Sequence, residues 1–323
     1  MQHCIIEPYE FQEVLKDVSP TGSERPWSDK KMKNELLAIA YENINPLKSS
    51  RLRACGQALT FRVYDDGTKK LESMTSCRVR LCPLCSWRRA LKTYSNVRQI
   101  VEYLHREKKQ EFLFLTLTIK NVEALELSRT IDFLFESFNR FALLMPFKRA
   151  VNGWYRALEI THNIETDTFH PHFHCLLAVN KSYFTSRYYL SQKKWADLWK
   201  SSARLSYDPL VDIRRIKKDA DTDEIHFAEA CAEVAKYTVK DSDFIIPDDW
   251  DLTVDTVSAL DYALANRRLI GYGGNFREVR RLLQLQDEDT GDLVNVGDNV
   301  DKNDENYKLQ TFYWYSGYRQ YVG

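Results

Sequence analysis

From Trp87 to Leu104, apolar side chains recur at intervals of three and four: Trp87, Leu91, Tyr94, Val97, Val101 and Leu104. That period predicts an amphipathic helix whose opposite face carries Arg88, Arg89, Lys92 and Arg98. Upstream, Ser28 is placed to cap a helix running through Leu36, Leu37, Ile39, Ala40 and Ile44 and ending before Pro46. Leu59–Tyr64 and Lys70–Met74 flank Asp65-Asp66-Gly67-Thr68 and predict a hairpin. Residues 1–25 show little periodicity, contain Ser19-Pro20-Thr21-Gly22-Ser23, and read as a flexible arm.

The next stretch alternates between the two periods. Phe112–Ile119 is an apolar, β-rich run of strand length, and a helical pattern over Leu125–Leu144 is stopped at Pro146. Trp154–Thr161 and Phe169–Val179 read as strands joined by the polar turn Asn163–Asp167, hence as an antiparallel pair. Lys193–Leu205 predicts a helix, Leu210–Ile216 a strand and Ile225–Lys240 a helix. After Ile246 come a helix near Val257–Asn266, a basic-apolar segment to Leu285, an acidic loop and an aromatic tail. The order implies an α+β fold with a mostly antiparallel central sheet and flanking helices. The expected division is an arm over 1–25, a helix with a cysteine module and the basic helix over 26–109, an α+β domain over 110–245, and an extension over 246–323.

At about 150 residues per domain, 323 residues suggest roughly two domains. Forty-six basic and 46 acidic side chains cancel, which excludes a uniformly basic nucleic-acid binder. Zero net charge hides segregation, however. Residues 77–109 hold nine basic groups against two acids, residues 193–218 eight against three, and residues 287–305 eight acids against Lys302. Screening beyond about 8–10 Å lets one face be basic while the total is neutral, so a polyanionic partner stays in view. Seven cysteines are an odd number, which argues against a disulfide framework. The N-terminus lacks a signal-peptide pattern and no 18 apolar residues run together, so a reduced, cytoplasmic protein with no membrane role is expected.

Four of those cysteines fall at Cys55-x21-Cys77-x4-Cys82-x2-Cys85, with the hairpin inside the long gap. Tetrahedral Zn²⁺ needs thiolates gathered by tight knuckles, and Cys82-Pro83-Leu84-Cys85 is such a knuckle. Four thiolates leave no open position, so the site reads as structural, holding the basic segment of Arg78, Arg80, Arg88, Arg89 and Lys92. A redox role for the Cys82–Cys85 pair lacks the βαβ context. Cys4, Cys175 and Cys231 read as core thiols.

His170-Pro171-His172-Phe173-His174 puts three imidazoles at a spacing of two, hence on one face of a strand. If the preceding turn centres near Thr166, Glu159 lies opposite His172 or His174 and can offer a carboxylate to the same ion. A slip of one residue would turn it away. Two imidazoles and a carboxylate leave coordination positions open, as catalysis requires. His170, at the strand entrance, is a ligand, a group supporting one, or neither. Further on, Glu233 and Tyr237 are four apart and share a helix face, as many packing pairs do.

In that order, the strand Phe114-Leu115-Thr116-Leu117-Thr118, the His-Pro-His-Phe-His strand and Glu233-x3-Tyr237 resemble motifs one, two and three of the HUH endonucleases. With the upstream cysteine knuckle, they look most like the rolling-circle replication initiators of small plasmids from Gram-positive bacteria, over roughly Cys55 to Tyr237. The resemblance implies an HUH nicking domain over 110–245 and a zinc-ribbon-like module before it. It implies that His172 and His174 bind a divalent metal, Mn²⁺ or Mg²⁺, with Glu159 as third ligand. Tyr237 would be the nucleophile that nicks and rejoins origin DNA through a 5′-phosphotyrosine, leaving a free 3′-OH. Glu233 would assist water or the second strand transfer at termination.

Implied partners are double-stranded origin DNA, single-stranded DNA, a host helicase and a polymerase; an oligomer is left open. No Walker-type Gly-x4-Gly-Lys loop is present, which agrees with a separate helicase. Trp87, Tyr94, Trp195, Trp199 and Tyr207 could offer stacking faces to single-stranded DNA, although Trp195 and Trp199 at i,i+4 read as core. Competing readings are a single-tyrosine HUH transposase or relaxase, a histidine-triad nucleotide hydrolase, and a zinc-ribbon DNA-binding regulator without catalysis.

Overall fold

A computed structural model describes residues 13–19, 22–216, 227–236, 238–297 and 306–323. In chain order its first elements are α1 (Trp27–Ile44), α2 (Pro46–Ala54), β1 (Ala58–Tyr64), β2 (Lys69–Met74), α3 (Pro83–Lys108) and β3 (Gln110–Leu117). There follow α4 (Ala124–Leu143), α5 (Met145–Ala150), β4 (Gly153–Asn163), β5 (Thr168–Asn180), α6 (Gln192–Ser202), β6 (Val211–Arg215) and α7 (Phe227–Val234). The last are α8 (Trp250–Leu264), β7 (Ile270–Gly274), α9 (Asn275–Leu282), β8 (Tyr307–Tyr315) and β9 (Gln320–Val322). The chain is a mixed α+β protein with two antiparallel sheets. It divides into two compact units, one made of residues up to Arg88 with Leu293–Gly323, the other of Arg89–Asp292.

The first unit carries a four-stranded sheet in the order β2-β1-β8-β9. Alternation sends Leu59 and Phe61 of β1 and Phe312 and Trp314 of β8 inward, where Trp27 and Trp87 meet edge to face at 4.6 Å. The aromatic tail, expected only as a tail, is therefore two strands, with Ala58 opposite Tyr313 and Tyr64 opposite Tyr307. Part of the expected arm is also tied down: Leu15 N–H donates to Tyr321 O at 2.9 Å, and Trp27 Nε1 donates to Asp17 Oδ2 at 2.7 Å. Ser28 lies inside α1 rather than capping it; Pro26 takes that position without a side-chain hydrogen bond. Asn45 then caps α2, its Oδ1 accepting from Lys48 N–H at 3.1 Å.

The second unit holds a five-stranded sheet in the order β6-β3-β5-β4-β7. One face is covered by the phenylalanines of α4, where Phe138 packs edge to face on Trp154 at 4.9 Å and on Phe173 at 5.6 Å. On the other, Val97, Ile100, Val101 and Leu104 of α3 join Cys231 and Val234 of α7 over Tyr155, Ala157, Leu176 and Ala178. Trp195 and Trp199 are fully buried core residues, as are the thiols of Cys175 and Cys231. Cys4 lies outside the described residues. The basic-apolar segment before Leu285 is resolved into strand β7 and helix α9, and Pro146 opens α5 instead of merely stopping α4.

The last expected helix of this domain is corrected, and two of the expected DNA-facing cations are found buried. The helix expected to reach Lys240 ends at Val234, because the Thr238 carbonyl is taken by β4, accepting from Ile160 N–H at 2.7 Å. Of the basic residues expected to face DNA, Arg88 is 1% exposed and Lys92 4%. Arg88 donates to the carbonyls of Leu293 and Val294 within the first unit. Lys92 donates to Gln286 Oε1 at 2.7 Å and to Asp292 O within the second. Both cations hold distant backbone in place; Arg78 is exposed, and Arg80 and Arg89 are half-buried. Replacing Lys92 with Met leaves buried acceptors without their donor and is expected to lower stability by about 1–3 kcal/mol. Urea denaturation followed by circular dichroism reads the change, and an unaltered midpoint would contradict this role.

Candidate functional site

Within the first unit, Cys55 follows α2, Cys77 follows β2, and Cys82 and Cys85 bracket the start of α3. The Sγ atoms of Cys55 lie 3.6 Å from those of Cys82 and of Cys85, and Cys77 Sγ is 3.8 Å from Cys85 Sγ. Four thiolates at a Zn–S bond of ~2.3 Å form a tetrahedron with edges of ~3.8 Å, so the spacing fits. Backbone N–H groups point at the sulfurs, from Cys77 to Cys55 Sγ at 3.4 Å and from Cys85 to Cys82 Sγ at 3.5 Å. Gly56 makes the close approach between the knuckles: φ is +61°, and a Cβ there would fall 2.7 Å from Leu84 Cδ1. Lys31, buried beside the cluster, donates to the carbonyls of Arg53 and Cys55 at 3.0 and 2.8 Å. Hydrogen bonding among the thiols and burial push Cys55 far up, and burial first pushes Cys82 up, so a cation is needed to hold this set as thiolates.

In the second unit, the register of β4 on β5 sets Glu159 directly opposite His172. Glu159, His172 and His174 form one group whose donor atoms all lie within 4.8 Å. Glu159 Oε2 is 2.8 Å from His174 Nε2 and 3.6 Å from His172 Nε2, and the two Nε2 atoms are 3.2 Å apart. His172 Nδ1–H donates to the His170 carbonyl at 3.0 Å, which turns Nε2 towards Glu159. Thr116 Oγ1, paired across β3 and β5, lies 3.2 Å from His174 Nδ1. Three lone-pair donors thus converge, a set that a cation or shared protons must bridge. Ligands at ~2.1 Å and a right angle lie ~3 Å apart, close to the imidazole separation seen. Burial works against charge on Glu159, yet hydrogen bonds from His172 and His174 hold its carboxyl well below the usual carboxylate range. His170 stacks on His172 at 5.0 Å but is not part of this group; its backbone carbonyl orients the His172 ring.

His174, alone of the three, lines a cleft of about 850 Å³ that is also walled by Phe114, Thr116, Asp212, Arg214 and Glu233, among others. Glu233, near the end of α7, is paired with Lys236. Tyr237 lies outside the described residues; its neighbour Thr238 is bonded to β4 at Ile160, the residue after Glu159. Thr116 and Asp212 were not singled out from the sequence. Thr116 had a signal, a polar residue at alternate positions in an apolar strand, whereas Asp212 is recognisable only once β6 is paired opposite Thr116. Tyr207 accepts a backbone hydrogen bond from Lys120 at 2.9 Å, which fixes its ring beside the Lys120 ammonium.

The profile of a family described as replication protein matches residues 68–322. A relative called Protein rep from Bacillus amyloliquefaciens is 38% identical over 332 residues, spanning 96% of this chain and 97% of its own. One of the same name from Lactiplantibacillus plantarum is 36% identical over 291 residues, spanning 89% and 91%. Another from Streptococcus pneumoniae is 35% identical over 310 residues, spanning 94% of each chain. No solved structure gives a significant match.

Because Thr116 is the partner of His174 Nδ1, Thr116→Val is expected to weaken divalent-ion binding by about 10–100-fold. Titration with Mn²⁺, followed by the electron paramagnetic resonance of the free ion, measures it; unchanged affinity would show that the threonine does not orient the ring.

Proposed function

The chain belongs to the replication-protein family, and from that premise we propose that it initiates rolling-circle replication of a plasmid by nicking and rejoining origin DNA. The observation that carries this reading is the convergence of His172, His174 and Glu159 into one group, of which His174 lines an open cleft that Glu233 also walls. In this reading the second unit is an HUH nicking domain and the protein works in the cytoplasm. Among the described residues no helix is long and apolar enough to cross a membrane.

The chemistry assigns each group a role. His172, His174 and Glu159 would hold a divalent ion, Mn²⁺ or Mg²⁺, which would supply Lewis-acid stabilisation of the charge that builds on the scissile phosphate. Tyr237 Oη forms the new bond to phosphorus while the bond to the 3′ oxygen breaks. The phenol proton is lost and the departing oxygen becomes a 3′-OH that a polymerase can extend. A phenol with a pKa near ~10 is a weak nucleophile at neutral pH, so electrostatic help at the phosphate matters. The phosphotyrosine conserves the bond energy, and rejoining needs no nucleotide triphosphate. Glu233, which lines the same cleft as His174, takes a proton from water or from the second strand at termination.

Four cysteines with tetrahedral spacing support a structural Zn²⁺ in the first unit. Of the basic segment, Arg78, Arg80 and Arg89 keep exposure to solvent, and in this reading they face the DNA. A host helicase would open the duplex, and oligomerisation is left open.

Two outcomes test the scheme. With Mn²⁺ and an origin-derived single strand, the wild-type chain is expected to form a covalent adduct on a denaturing gel, and Tyr237→Phe none. Cleavage persisting in the variant moves the chemistry elsewhere, and binding without cleavage in both proteins favours a regulator. Separately, one equivalent of zinc is expected to stay with the purified chain by elemental analysis and to be lost in Cys82→Ser together with thermal stability. Zinc retained by that variant would contradict the four-cysteine site.

A further inference from the structure

The β7 edge of the five-stranded sheet carries a second concave surface that shares no lining residue with the cleft of the triad. This cleft, about 590 Å³, is lined by Arg156, Arg268, Arg277, Arg280 and Arg281 beside Trp154, and no carboxylate lines it. Arg280 is engaged by Glu288 at 3.1 Å and Arg268 by Asp287. Arg277 and Arg281 meet no carboxylate within 4 Å among the described residues, although Arg277 Nε donates to Tyr272 O at 3.1 Å.

Arg156 is the least ordinary of the five. It is 7% exposed, and its guanidinium lies over the rings of Phe135, Phe173 and Phe138 at 4.5, 4.7 and 5.1 Å. No hydrogen-bond partner reaches its Nε among the described residues, and burial brings its pKa down to about 10. A buried cation without a counter-ion is unfavourable unless an anion joins it. Space for this arrangement comes from β7. Gly271 is opposite Arg156 and Gly273 opposite Trp154. A Cβ on Gly271 would sit 3.2 Å from the guanidinium, and one on Gly273 would overlap the indole at 2.2 Å. Bare backbone on the edge strand lets the arginine and the half-buried tryptophan lie against it.

Planar guanidinium groups bind phosphate through paired N–H donors, and several of them around one open cleft suit a repeating phosphodiester better than a single small anion. We propose that this cleft is a phosphate-binding site for the backbone of the DNA on which the chain acts, distinct from the cleft where that DNA would be cut. The proposal rests on the reading of the chain as a DNA-processing replication protein.

Fluorescence anisotropy with a labelled oligothymidylate and a labelled random-sequence duplex tests it, without added divalent metal so that no cleavage is needed. Arg277→Ala/Arg281→Ala is expected to raise Kd about tenfold. It should also flatten the dependence of log Kd on log salt by ~1.4 for the single strand or ~1.8 for the duplex, the loss of two phosphate contacts. Lys148→Ala/Arg149→Ala, which removes the same charge from the exposed side of α5, is expected to change neither. Equal losses in both pairs would reduce the effect to net charge and overturn the proposal, as would an arginine pair that binds like wild type. Thermal stabilisation by inorganic phosphate that vanishes in the arginine pair, with DNA affinity unmoved, would make the cleft a small-anion site instead. Cleavage is read in a separate assay, so DNA binding through this cleft by a chain that does not nick would sink the nicking reading alone.

Discussion

The pairing of β4 with β5 is the constraint on which the candidate site depends. Leu158 and Ile160 on one strand, and Phe173, Cys175 and Leu177 on the other, are buried on the α4 face. Sliding the strands by one residue would put Glu159 among phenylalanines and expose those apolar groups, a cost that far exceeds any one contact in the triad. Burial on the far face therefore fixes the chemistry on the near one. The turn between the strands agrees: Asn163 Oδ1 accepts from the N–H groups of Glu165 and Thr166, and Asp167 takes φ +47°.

Local signals were legible in the sequence, and distant ones were not. The hairpin, the strand pair and the cysteine spacing are each specified within a few dozen residues, and β1, β2, β4 and β5 follow them closely. Strands β7 and β8 were missed because what makes them strands is a partner far along the chain: Gly153 for Gly274, Ala58 for Tyr313. The burial of Arg88 and Lys92 is hidden from the sequence for the same reason. A helix wheel shows which positions are polar, but not that carbonyls some two hundred residues away will come to meet them. Of the site, the triad was visible as spacing plus one choice of register, whereas Thr116 and Asp212 needed the β3–β5 and β3–β6 pairings.

Charge segregation has a structural side as well. Glu288, from the acidic run, is 2% exposed and accepts from Asn96, Tyr272 and Arg280. Its negative charge is neutralised inside the second unit, where it offsets Arg280 of α9. Zero net charge is thus the sum of internal neutralisation and basic surface, two things that composition alone cannot separate.

Strand β8 adds a constraint in time. Its partner β1 leaves the ribosome some two hundred and fifty residues earlier, since Ala58 pairs with Tyr313 and Tyr64 with Tyr307. All of Arg89–Asp292 is synthesised in the interval. During translation the cysteine-bearing unit waits as an open hairpin with an unpaired β1 edge while the later unit is able to close first. A chain released early by a premature stop would carry that bare edge permanently, inviting pairing with other chains and degradation.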